Sequence, residues 1–546
     1  MTVRPIKRSA HSEKRNSVAR MVLSTITYGC SRKSPNIIAT PTGEMANPTQ
    51  IDGYPLTIYR IVTCLLCVAL WAPQARCLEE HSQPAARTQN TSSKQMTDRK
   101  VQDQVTFEWR RSLPIDQRDT AIGIIGGTEA RALAGMDGRL YAGIGYWSDS
   151  QEANPELPGG QVLALDSPTS KWRVDLNLDE RIKTGPAAGK RRYFAIAVLR
   201  SGTFTTDGNG HHLAHPVHAL LAGTWDRLGQ LEVFSKVEGS GSWSMCNLSP
   251  EDQSRHAEIR SFYVYRDKVT NTDHVFAGTR VNGASLPTRI YSGEFDPSDR
   301  TIHWNKTAEG WGDQSLAPNR TTHSSGRIMG FAECNGKLYT SIYNMIFERQ
   351  DGAKPSWKLV YTYKPMRPFG ERSSGLRGLH TVPDPEGKGQ ALLVTTETRP
   401  CLLLRINTLT FGAVEELNIS AFLRKEWSTP VRYAIAGYND MLSYSPNGES
   451  HSQTLIGLHA STPELPGTFK TFNPTGAILV RNDDASFRLG EIEDRSLNYK
   501  PILQAVRTVV NSPFQSDPPG TIYAGGFDAG GVPVHNTAWI YRGAPH

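Results

Sequence analysis

The 546-residue sequence lacks a hydrophobic run long enough to cross a bilayer comfortably, a Lys-rich block and any zinc-like Cys/His spacing. It also lacks a phosphate-binding Gly-rich loop and a Gly-x-Ser-x-Gly elbow. The first absence argues against a stable transmembrane helix. The missing Lys-rich block, with a formal net charge of only +7, argues against nucleic acid as a partner. The others remove the local motifs for zinc, nucleotide and serine-elbow chemistry, and the sequence points to no cofactor. Cysteine is scarce as well. Cys30, Cys64, Cys67 and Cys77 precede the expected folded part, and only Cys246, Cys334 and Cys401 lie within it. So few, so far apart, predict buried free thiols or at most one bridge, not a disulfide framework.

What is present is glycine and proline, 48 and 34 residues spread along the chain. With 38% hydrophobic and 21% charged residues, this suits many short strands and turns. The beginning differs. Residues 1 to about 56 are polar and basic, followed by "YRIVTCLLCVALWAPQARC". Ile61–Ala72 has the length of a signal-peptide h-region, and Ala75-Arg76-Cys77 is a small-x-small end. This predicts a leader within residues 1–77, started from Met45, and a secreted, periplasmic or extracellular protein. An uncleaved anchor and lipid attachment at Cys77 are the alternatives. Residues 78–104 are polar and read as a linker.

From Val105 onward a repeat dominates. "ARALAGMDGRLYAGIGYW" from Ala130 and "GRIMGFAECNGKLYTSIYN" from Gly326 share an Arg, an apolar strand, an Asp-Gly or Asn-Gly turn and a second strand. The unit recurs with longer turns from Arg191, Ile259, Leu376, Val431 and Val506. Each has a third strand, and all but the last have a fourth, such as "SWKLVYTY". The strand missing from the last unit is supplied by "VTFEWRRSLP", Val105–Pro114. These readings predict an all-β fold: a seven-bladed β-propeller of four-stranded blades over residues 105–546, its last blade completed by the N-terminal strand.

"IYAGGFDAGG…HNTAWIYRG" and "KLYTSIYNMIFERQDGAKPSWKLVY" resemble degenerate kelch-type repeats, with a Gly-Gly pair closing the second strand in the former and a late tryptophan, Trp357, in the latter. Most other units lack the Gly-Gly pair. The chain is also similar to secreted bacterial propeller proteins. The resemblance implies a fold used by binding modules and enzymes alike, and so no particular reaction.

Arg131, Arg192, Arg260, Arg327, Arg377, Arg432 and Arg507 occupy one place in the repeat, just before the first strand. First strands line a propeller's axis, so these residues are expected to ring one channel mouth and to bind an anionic ligand. The opposing reading makes each a blade-to-blade fastener, because unpaired charges so close together repel. Candidates for proton transfer at the same mouth are His380, Glu258, His323, His535 and Tyr433. "HHLAHPVH", His211–His218, is expected to be a long-loop insertion. Three functions follow: binding of an anionic small molecule, glycan or partner; a lyase or hydrolase acting on an acidic saccharide or ester; or a structural interaction propeller.

Overall fold

The computed structural model describes residues 106–114, 117–119, 122–146, 159–249, 257–281, 288–312, 326–364, 375–439, 441–445, 452–462, 476–497, 503–527 and 538–546. The leader-like segment and the linker lie outside these residues, as do His323 and His535. No helix among the described residues is long and apolar enough to cross a membrane.

The described chain is nearly all β, laid out as successive antiparallel meanders. The first comprises Glu129–Met136, Arg139–Gly145, Gly160–Leu165 and Arg173–Leu178. The second comprises Tyr193–Thr206, His212–Asp226, Glu232–Val237 and Ser244–Asn247. The third runs through Ala257–Arg266, Asp273–Val281, Ile290–Asp296 and Thr301–Trp304. The fourth runs through Ile328–Cys334, Lys337–Ile342, Met345–Gln350 and Ser356–Thr362. The fifth is Leu376–Pro383, Gln390–Thr396, Leu402–Asn407 and Ala413–Asn418, followed by a helix, Ile419–Glu426, capped by the Asn418 side chain. In the sixth, Tyr433–Ala436 and Leu442–Tyr444 both pair with Gln453–Ser461, and Gly476–Asn482 and Phe487–Ile492 follow. The last comprises Ala505–Asn511, Ile522–Phe527 and Trp539–Pro545.

Local chemistry accounts for these hairpins. Asp137 and Gly138 both take positive φ, 53° and 68°, as do Asn335 and Gly336, at 48° and 74°. A type I′ turn requires this, and Asn/Asp-Gly meets it at low cost. In the second meander the His-rich stretch is strand, not loop. The hairpin pairs as far as Thr206↔His212, and Asp273 of the third meander accepts from the Thr205 and Thr206 amides. That carboxylate gives the extended hairpin something to rest on, which the local sequence could not reveal.

The apolar core is divided into clusters, each shared by one meander and the next. Phe204 and Val233 of the second pack with Ile259 and Tyr291 of the third. Leu133 and Leu163 of the first pack with Tyr523 and Ile540 of the last. Cys334 and Cys401 are buried free thiols, pushed up by burial to about 11 and about 12, and Cys246 is a half-buried one. Phe107–Arg111, from the start of the described chain, pairs antiparallel with Trp539–Pro545, Trp109 facing Gly543. The pairing needs that glycine, since a Cβ there would lie 2.7 Å from the Trp109 ring.

Buried ion pairs join neighbouring meanders farther out. A third-strand cation meets a carboxylate of the preceding meander's outer edge: Lys236 with Asp175 at 2.8 Å, Arg349 with Glu309 at 3.0 Å, and Arg481 with Glu416 at 2.7 Å. The sequence reading had assigned fastening only to the first-strand arginines.

Candidate functional site

The first strands position an arginine cluster. In the ladders of the first, third and last meanders the register skips one residue, at Arg131, Arg260 and Arg507. A β-bulge re-aims the extra residue's side chain. Here it sends three guanidinium groups away from their own sheets toward one another. Arg131 reaches Glu258 of the third meander at 3.0 Å, and Arg507 reaches Glu129 of the first at 2.6 Å. Arg260 also binds Glu258, at 2.8 Å.

Arg377 joins from the fifth meander, paired with Glu397 at 2.6 Å. Arg327 bridges by its backbone to Arg280, and its guanidinium is pulled down by burial and by the charges of Arg280, Arg260 and Arg377. Arg280, which the sequence reading missed, reaches Glu258 at 3.2 Å. The cluster therefore sets six guanidinium groups against three carboxylates among the described residues.

Two arginines of the predicted ring lie elsewhere. Arg192 stays within the second meander, bound to Asp226 at 2.8 Å, Glu180 at 3.0 Å and Glu232. There the register skips at Phe194, two residues later, so Phe194 takes the bulged position. Arg432 is exposed, in a meander whose first strand has no such bulge. The equal spacing of Arg and apolar residue in the sequence hides this difference, because it does not show which residue the ladder skips.

Burial lowers Arg260 to about 10 and Arg507 to about 9, with repulsion from the other arginines adding to it and Glu258 or Glu129 opposing it. Both remain cationic at neutral pH. Burial alone would raise the Glu258 carboxyl, but Arg260, Arg131, Arg280 and Arg327 hold it well below the usual carboxylate range. A carboxylate so held is an anchor for cations, with no proton to give near neutrality. Arg131, only 4% exposed, lies 5.3 Å from the Trp225 ring centre. Its Nη1 and the Trp225 indole nitrogen are buried donors with no hydrogen-bond partner among the described residues.

Tyr433 and His380 are placed differently. The Tyr433 hydroxyl donates to Glu397 at 2.9 Å, on the carboxylate that binds Arg377. Burial and the Glu397 charge push Tyr433 up, so it stays protonated. His380 lines a cavity of about 320 Å3 that also touches Arg260, Asn439, Met441 and Ser443. It lies within hydrogen-bond distance of Ser443 Oγ, 2.9 Å, and burial with the Arg200 and Arg481 charges lowers it to about 4.

The sequence reading also missed Tyr438 and Asn439, from the interruption in the sixth meander. Asn439 Nδ2 donates to the Arg131 carbonyl at 2.5 Å, and its Oδ1 accepts from Arg260 at 3.4 Å. Tyr438 lies against Arg377 and Arg507, whose guanidinium carbons are 4.3 and 3.2 Å from its ring centre. "AIAGYND", a glycine inside an expected strand, was the available signal.

No family model and no curated protein matches the chain. Solved structures similar to it include a Trypanosoma rangeli sialidase in complex with sialic acid, at 10% identity and TM-score 0.34. The match covers 81% of this chain and 58% of the sialidase, so the chain spans less than two thirds of that protein's length. Saccharomyces cerevisiae Sqt1 is similar at 10% identity and TM-score 0.37, covering 77% of this chain and 96% of that one. PorZ, a surface component of the Porphyromonas gingivalis type-IX secretion system, is similar at 13% identity and TM-score 0.38, covering 79% and 48%.

Proposed function

We propose that the chain is a secreted or cell-envelope seven-bladed β-propeller, closed by Phe107–Arg111 on Trp539–Pro545, that binds an anionic small molecule or glycan at its axial arginine cluster. Cores shared from each meander to the next, and from the last to the first, support the closed ring. The buried Arg131 Nη1, with no hydrogen-bond partner among the described residues and with other guanidinium groups close by, carries the functional reading. An anion accepting from Arg131 Nη1 would relieve the mutual repulsion and satisfy a buried donor.

Calorimetric titration with galacturonate, citrate and inorganic phosphate tests this. Arg131→Gln is expected to weaken binding about tenfold or more, as loss of a charge-assisted bond does. Arg192→Gln, outside the cluster, is expected to leave it unchanged. A folded Arg131→Gln protein that binds like the wild type would sink the reading.

The Tyr433–Glu397–Arg377 chain supports a second reading, a hydrolase or lyase acting on an acidic saccharide or ester. In it Tyr433 donates a proton and Arg377 neutralises the substrate carboxylate. Turnover of uronate glycosides or esters that disappears in Tyr433→Phe is the expected result, and binding without turnover leaves the first reading alone.

A further inference from the structure

The first strand of the fifth meander and the interrupted strand of the sixth come close together at two glycines. Gly378 and Gly437 both take positive φ, 62° and 55°, and a Cβ on Gly378 would lie 2.7 Å from the Gly437 carbonyl oxygen. The absence of a side chain on either residue is what permits this approach. Between Arg377 and His380 the fifth ladder also slips by one residue, a β-bulge that re-aims the side chains around it. The outcome is a pair that no local sequence pattern announces. His380 Nε2 lies 2.9 Å from Ser443 Oγ, a residue 63 positions further along the chain.

Both side chains open on the cavity of about 320 Å3, His380 half-buried and Ser443 exposed. The first strands of the first five meanders line that cavity, together with Met441 and Ser443 of the sixth. A second cavity, of about 730 Å3, adjoins it through Arg200 and Tyr263 and extends to the exposed turn Asp137-Gly138. A small molecule therefore has a way in from the turn side of the sheets. Burial, with the Arg200 and Arg481 charges, holds His380 down at about 4. Its imidazole is neutral near neutrality, with a lone pair for the Ser443 proton.

We infer that Ser443 and His380 are a nucleophile–base pair, and that the cavity they share hydrolyses small acyl esters. With the imidazole proton on Nδ1, Nε2 takes the Ser443 hydroxyl proton as Oγ adds to the ester carbonyl. The bond to the leaving oxygen then breaks, and His380 returns the proton to that oxygen. Water adds next to the acyl-serine, giving one proton to His380. The Oγ–acyl bond breaks, Ser443 regains that proton and the carboxylic acid departs. Tyr263, which burial keeps protonated, lines the cavity as a donor for the oxyanion. A base with so low an affinity for protons activates its nucleophile weakly, so esters with good leaving groups, such as aryl acetates, are the expected substrates. This centre requires neither the anion-binding reading nor the Tyr433 reading above.

The test is reaction of the full-length protein with an alkyl fluorophosphonate, the labelled residue being located by mass spectrometry, and with p-nitrophenyl acetate, followed by nitrophenolate release. Wild type is expected to be labelled at Ser443, and His380→Gln to be labelled at least about tenfold more slowly. Ester hydrolysis is expected to fall about a hundredfold or more in Ser443→Ala and in His380→Gln, with thermal melts confirming that both fold. Wild type that is not labelled at Ser443 overturns the inference whether or not the variants fold. A folded Ser443→Ala protein that hydrolyses the ester at the wild-type rate overturns it as well. Labelling and hydrolysis undiminished in folded His380→Gln overturn the role of His380 as the base.

Discussion

Glu258 is the residue on which the cluster's charge depends, since one carboxylate faces Arg131, Arg260 and Arg280. Removing one member of a buried ionic group leaves the others uncompensated, at about 3–5 kcal/mol. Glu258→Gln is therefore expected to cost about that much in urea unfolding, and added sulfate is expected to restore part of it. His380 supplies a pH signature. The unfolded chain takes up its proton near pH 6.5, the folded one only near 4. Between these values the unfolded state binds more protons, so stability is lost as pH falls through that window. Wild type is expected to lose up to about 3 kcal/mol there relative to His380→Gln, measured by denaturant melts at a series of pH values. Five of the seven repeated arginines were legible as a cluster from their recurrence alone. Arg192 and Arg432 were not distinguishable from them, because the β-bulge is a property of strand pairing.

At the scale of the element, the repeated fasteners are third-strand cations. Arg349 alone is bound by Asp267, Glu309 and Asp351, and its side chain is 1% exposed. Arg349→Met leaves those carboxylates without their shared cation and is expected to cost about 3–5 kcal/mol in urea unfolding. Arg173→Met, at the more exposed edge of the first meander, is expected to cost at most about 1 kcal/mol. Hairpin turns were readable because positive φ at Asp137-Gly138 and Asn335-Gly336 is a local demand. The length of the His-rich hairpin was not readable, because Asp273, which holds it, belongs to another meander.

For the whole molecule, the pairing of Phe107–Arg111 with Trp539–Pro545 is the testable joint. Trp109 is 5% exposed and packs with Tyr541 and Tyr444. Trp109→Ala is expected to cost about 3–5 kcal/mol, as large-to-small core changes do, with a lowered thermal midpoint. It is also expected to increase aggregation, because the last sheet would then present a loosened edge. An unchanged midpoint would show that the joint contributes nothing to stability.

The sequence by itself determined the all-β character, the recurrence of the strands and the partner of the final one. These follow from period-two alternation, from turn residues and from a count of strands, all of which are local. Tertiary structure decided which arginines meet, that Glu258, Glu129 and Glu397 answer them, and that Tyr438 and Asn439 enter among them. Those outcomes depend on register and on contacts between separate segments, some more than a hundred residues apart, such as Arg131 with Glu258, where Coulomb energy and burial act through space and not along the chain.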